Sequence, residues 1–156
     1  LVEALINAFY YAHKKQPRLK LWIMGPEDEN PEYAADCHEL VRVLQAKNIV
    51  FTGSIRTADY IGKMDMTILT SISEGQPLTI LEGFAAKKPC IATNVGNCRG
   101  LIYGENDSYG DAGIVVSIMN ISEISNAILK LANHPDLARQ MGRNGYRRLM
   151  AKYRSV

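Results

Sequence analysis

The chain has 156 residues, is 47% apolar and 22% charged, and carries a net charge of +2. Such values describe one ordinary globular domain, long enough to bury a substantial core. They give no electrostatic case for nucleic acid as a partner, and no apolar run nears the ~20 residues that span a bilayer. Residues 1–16 have helical periodicity, with Leu1, Leu5, Ala8 and Ala12 on one stripe, rather than the pattern of a secretory signal. Residues 19–24 are nearly continuously apolar, as a strand covered on both faces should be. Residues 31–47 predict a helix with Cys37, Leu40, Val41 and Leu44 inward. A short strand over 48–52, stopped by Gly53, precedes a short helix over 56–63 and a strand over 66–70. A helix over 78–86, a strand over 89–93 and a Gly/Asn-rich loop follow. A long loop over 103–113 leads to a last strand at 113–116, and helices over 121–132 and 135–154 close the domain. Strands separated by helices predict an α/β fold: a Rossmann-like parallel sheet with right-handed crossovers, occupying residues 1–156.

The three cysteines, Cys37, Cys90 and Cys98, are odd in number and lack metal-type spacing. They suit reduced thiols in a cytoplasmic protein, and neither a metal nor a cofactor is expected. Cys98 reads as a packing residue, since no histidine lies close in sequence to activate it. The cationic residues of the last helix, Arg139, Arg143, Arg147, Arg148, Lys152 and Arg154, read as a solvated basic face.

The chemistry-bearing segment runs from Glu74 to Glu82, Glu-Gly-Gln-Pro-Leu-Thr-Ile-Leu-Glu, across a loop-to-helix junction. Pro77 suits the first helical position, and Gly75 lets backbone approach a ligand. The N–H groups of Gln76, Leu78 and Thr79 at such a helix tip attract an anion, most often a phosphate; Pro77 contributes no donor. About 7.5 Å of helix separates Pro77 from Glu82, so a phosphate at the tip could belong to a nucleotide whose ribose hydroxyls meet Glu82. Glu74 would face the group beyond the phosphates. The bland alternative makes Glu82 a solvated helix residue and Glu74 a helix-entry charge.

Three stretches carry a resemblance: Gly25 to Tyr33 followed by Cys37, Thr70 to Leu78, and Ala92 to Arg99. The segment from Leu69 to Leu101 resembles retaining glycosyltransferases of family 4, and more narrowly the group that includes the cytoplasmic glycosyltransferase subunit of Pel exopolysaccharide synthases. That resemblance implies the carboxy-terminal, donor-binding half of a two-domain GT-B fold. Its substrate would be a nucleotide-diphosphate sugar, UDP-glucose or a related UDP-sugar, with a glycan acceptor bound by an amino-terminal domain outside this chain. Membrane-bound synthase subunits become expected partners, with peripheral contact at the inner membrane face. Glu74 takes the catalytic place against the donor sugar. Gly75, Gln76, Pro77, Leu78, Thr79 and Glu82 take the donor-binding places, Gly25 borders the phosphates, and Ile55 and Arg56 lie against the base; Arg56 reads equally well as a solvated helix-start residue. Gly100 stands where the family commonly has a Glu. A nucleotide-binding module without catalysis and a GT-B-type nucleotide-sugar epimerase are the alternatives.

A Rossmann-like half normally starts with a strand, whereas this chain starts with a helix. In the common doubly wound order that strand lies between the second and fourth. The expectation is therefore a fragment of a larger enzyme, inactive alone, with a gap between two central strands. A rearranged sheet, a strand swapped from a neighbouring chain, or marginal stability would follow.

Overall fold

A computed structural model describes residues 2–71 and 78–153. In chain order its elements are α1 (Val2–Lys15), β1 (Leu21–Met24), α2 (Pro31–Leu44), β2 (Ile49–Gly53), α3 (Thr57–Tyr60) and β3 (Thr67–Leu69). They continue with α4 (Leu78–Ala85), β4 (Cys90–Thr93), α5 (Cys98–Tyr103), β5 (Gly113–Val116), α6 (Ile121–Asn133) and α7 (Pro135–Lys152). All strand pairs are parallel, so the α/β class holds.

The parallel strands form two sheets: β1 with β2, and β3–β4–β5 in that order. In the larger sheet, Ile91 of β4 pairs with Ile68 of β3 and Ile114 of β5. Side chains alternate across it, as the twofold period of a strand requires. Ile68, Ile91, Ile114 and Val116 join a core with Leu5, Ala8, Phe9 and Ala12 of α1 and Ile124, Ala127, Ile128 and Leu131 of α6. Leu69, Cys90, Ala92 and Val115 face the other way, against Ile80 and Phe84 of α4, Leu101 of α5 and Leu149 of α7. Helices thus cover both faces, and β4 is buried along its whole length. Each fully buried Ile or Leu contributes about 1.5–3 kcal/mol of burial.

Local chemistry fixes the boundaries. The Asn30 side chain accepts the Tyr33 N–H at 3.2 Å ahead of Pro31, capping α2. Residues 45–47 continue the helical pattern in sequence, yet α2 ends at Leu44 because Gln45 turns left-handed, with φ of 52°. The helix predicted over 56–63 is one α-turn followed by a 3-10 turn, Ile61–Lys63. Helix α5 occupies the end of what reads as a Gly/Asn loop. Its apolar residues Cys98, Leu101 and Ile102 lie at i, i+3 and i+4, a spacing too short to stand out among glycines.

One reading of the last helix is corrected. Arg148 is only 1% exposed and does not belong to a solvated face. Its guanidinium makes a bidentate pair with Asp107, 3.0 Å from each oxygen, and donates to the carbonyls of Leu101 (2.9 Å), Ile102 (3.2 Å) and Gly110 (2.6 Å). Lys152 donates to the Asp107 carboxylate and to the Glu105 carbonyl, both at 2.7 Å. A basic residue surrounded by main-chain carbonyls of a folded-back loop is satisfied inside the protein, which periodicity alone cannot show. These bonds tie the 104–112 segment to α7. Arg154 lies outside the described residues.

Close packing fixes the helix layer. Gly142 and Gly145 bring α7 hard against α4 and the turn that follows it. A Cβ at 142 would sit 2.1 Å from the Lys87 carbonyl oxygen, and one at 145 would sit 2.6 Å from the Phe84 ring. Cys37, Cys90 and Cys98 are buried thiols. Burial pushes the Cys90 thiol up to about 12.

Candidate functional site

Glu74, Gly75, Gln76 and Pro77, the middle of the predicted site, lie outside the described residues. Their flanks are positioned by identifiable contacts. On the amino side, the buried hydroxyl of Thr93, at the carboxyl end of β4, donates to the Ser71 carbonyl at 2.6 Å. The bond fixes where the chain leaves β3, and Thr93 is a positioning residue that the motif reading does not single out. Its one available signal is a hydroxyl at the end of an otherwise apolar strand.

On the other side, α4 turns Ile80, Leu81, Gly83 and Phe84 inward. Leu78, Thr79 and Glu82 stay exposed on the opposite face. Leu78 and Glu82 are one turn apart at i and i+4, and Thr79 and Glu82 at i and i+3, so the three share one surface. Glu82 stands about 6 Å along the axis from Leu78. Among the described residues its exposed carboxylate has no ion-pair or hydrogen-bond partner.

The other predicted residues gather at the carboxyl ends of the smaller sheet. Gly25 directly follows β1 and Gly53 ends β2, with the Gly25 N–H donating to the Gly53 carbonyl at 3.1 Å. Their φ values of 137° and 68° are ones that side chains resist, so both turns need glycine. Ile55 is half-buried. Arg56 is 83% exposed at its side chain and lies 3.8 Å from Asp59 in the same turn. Met24, Thr57, Ser71 and Thr79 line a single cleft of about 780 Å³. The end of β1, the start of α3, the exit from β3 and the first turn of α4 therefore converge. Gly100 lies in α5, where a Cβ would come 2.6 Å from the Asn97 carboxamide oxygen.

Parallel strands whose carboxyl ends meet a helix amino terminus at a cleft define the ligand-binding class of α/β domains. The chain matches the family model of glycosyl transferases group 1 over residues 2–134 and belongs to that family. It is 26% identical over 138 residues to the N-acetyl-alpha-D-glucosaminyl L-malate synthase of Bacillus anthracis, covering 87% of this chain and 34% of that protein. In fold it is similar to Anabaena Alr3699/HepE, solved in complex with UDP-glucose, with a TM-score of 0.84 at 18% identity; the match covers 96% of this chain and 40% of that one. The carboxy-terminal domain of the group 1 protein LpcC from Francisella tularensis gives a TM-score of 0.81 at 24% identity, covering 97% and 78%. The fold is accordingly that of a GT-B glycosyltransferase carboxy-terminal domain. The chain spans 24–35% of the length of the first curated relatives it matches. Among the described residues, no helix is long and apolar enough to cross a membrane.

Proposed function

We propose that this domain binds a nucleotide-diphosphate sugar, UDP-glucose or a related UDP-sugar, for a retaining, family 4 transfer to a glycan acceptor. The reading rests on family membership, on UDP-glucose bound by a protein of the same fold, and above all on the exposed face of α4. That face presents Thr79, which lines the cleft where the strand ends converge, and one helical turn on the carboxylate of Glu82, which has no partner among the described residues.

Charge dictates the division of labour. Breaking a sugar–phosphate bond builds positive character at the anomeric carbon and negative charge on the departing diphosphate. The N–H groups and dipole at the start of α4, with the Gln76, Leu78 and Thr79 amides, stabilise the leaving group. Glu82 accepts the ribose hydroxyls, Glu74 holds the sugar hydroxyls and stabilises the positive side, and the turns at Gly25 and at Ile55–Arg56 border phosphate and base. Attack on the same face, with the leaving phosphate helping to deprotonate the acceptor, needs no separate protein base and no metal or cofactor. The acceptor belongs to another domain of the full-length protein, so this chain alone transfers little or no sugar. Exopolysaccharide synthesis beside membrane-bound synthase subunits is the matching role. The cytoplasm is the matching compartment for three unbridged thiols.

The full-length protein tests the assignment. Glu74→Ala abolishes turnover while most nucleotide affinity survives; unchanged turnover removes Glu74 from the mechanism. Glu82→Ala weakens UDP binding by about 1.5–3 kcal/mol in calorimetry, the scale of a charge-assisted hydrogen bond. An unaltered UDP affinity would refute the ribose role, and a panel of UDP, GDP and ADP identifies the base.

A further inference from the structure

The outer side of α7 is basic along most of its length. Arg139, Arg143 and Arg147 recur every four residues and are exposed, so they form one row about 12 Å long. Half-buried Tyr146 and exposed Met150 stand beside that row at helical spacing. Asp136 is the sole acidic residue of α7, and it pairs with Arg139. Arg143 donates to the Gln140 carboxamide at 2.9 Å, a neutral partner that leaves its charge uncompensated. Arg147 has no partner among the described residues.

Lys87 adds a cation from a second element. In the turn after α4 its N–H donates to the Phe84 carbonyl and the Lys88 N–H to the Gly83 carbonyl, both at 2.9 Å. That pair of bonds closes a helix through one left-handed residue, a place that commonly falls to glycine. Lys87 holds it with φ of 60°, a conformation that a side chain makes costly. Its ammonium lies 4.8 Å from the centre of the Tyr146 ring, at the border of the arginine row. Ending the helix does not account for a lysine here, because glycine would end it with less strain. A positive charge at this border does.

We infer that Lys87, Arg139, Arg143 and Arg147, with Tyr146 and Met150, dock this domain directly on an anionic lipid bilayer, without a protein subunit between them. Guanidinium groups pair with phosphate headgroups in a fork geometry. A ring that ends in a hydroxyl and a flexible thioether chain both suit the depth where headgroups meet acyl chains. A small acidic ligand would need donors that converge on one point. These cations instead stand in a row on a convex helix surface, which matches an extended negative plane. The exposed acidic residues Asp28, Glu29, Glu32 and Asp36 are held away, on α2 and the loop before it. Helix α2 packs on α1, whereas α7 packs on α4 across the larger sheet. A negative bilayer therefore attracts one side of the domain and repels the other, which selects a single orientation. None of the donor-site residues takes part.

Co-sedimentation of the full-length protein, without nucleotide, with vesicles of equal parts phosphatidylglycerol and phosphatidylcholine tests this. Binding is expected there and not on phosphatidylcholine alone, and it weakens as salt is added. Arg143→Gln combined with Arg147→Gln lowers the partition coefficient about thirtyfold, the product of about fivefold for each arginine. Lys87→Gly lowers it about fivefold while the melting temperature holds or rises, since glycine suits the left-handed turn. UDP affinity is unchanged in these variants, which separates a failure here from a failure of the donor assignment. Absence of binding to the anionic vesicles, equal binding to neutral ones, or binding that survives the substitutions overturns the inference. Recovery on native membranes but not on pure lipid also overturns it, and marks an acidic protein as the occupant.

Discussion

At the scale of single residues, the strongest polar feature is the Arg148–Asp107 pair. The Asp107 side chain is 6% exposed and that of Arg148 1%. Hydrogen bonds from Arg148, aided by Lys152 and the Tyr109 N–H, hold the Asp107 carboxyl far below its ordinary value of 3.8. A carboxylate whose pKa is depressed by folding adds stability above its unfolded value and loses it as pH falls toward the folded one. The loss therefore begins below about pH 4. Asp107→Asn leaves Arg148 buried without its counter-charge and costs about 3 kcal/mol near neutral pH. Thermal melts at about pH 7 and about pH 3 should show the variant's deficit shrinking on acidification. A deficit that stays constant would separate the pair from the acid sensitivity.

At the scale of elements, the α4–α7 contact depends on missing side chains. Gly142 lies so near the Lys87 carbonyl that the obstacle is backbone, which cannot swing aside as a flexible side chain would. Gly142→Ala should cost about 1–3 kcal/mol by forcing the helices apart, although alanine favours an isolated helix. Chemical denaturation reads the change directly, and a neutral or stabilising result would show that the helices can separate freely. Helix α4 carries the exposed Thr79 and Glu82, so the same variant should also weaken nucleotide binding in the full-length protein.

The larger elements were legible in the sequence because their periods are strong. The buried run at 90–93 and the stripe through Leu5, Ala8 and Ala12 stand where the pattern puts them. Short elements such as α5 were not, because six residues carry too few apolar positions to reveal a period among glycines. The helix that begins at Leu78 was legible from the Pro77 just before it in sequence. The Thr93–Ser71 bond and the Arg148 cluster were not: they join residues 22 and 38 or more positions apart, a distance that local patterns do not span.

For the whole molecule, the interrupted sheet implies unequal cohesion. The β3–β4–β5 sheet has helices on both faces, while among the described residues β1 pairs only with β2, and α2 fully buries a single residue, Cys37. Two paired strands are marginal without added packing. The three sulfur atoms are placed so that a thiol-modifying reagent reports this inequality without any engineered label. In the 156-residue chain, Cys37 should be modified first and Cys90, on the central strand of the larger sheet, last; mass spectrometry of timed samples gives the order. Simultaneous modification would mean that the domain comes apart all at once. The interval between the first thiol and the last turns an ordinary alkylation time course into a gauge of how firmly the two sheets hold together.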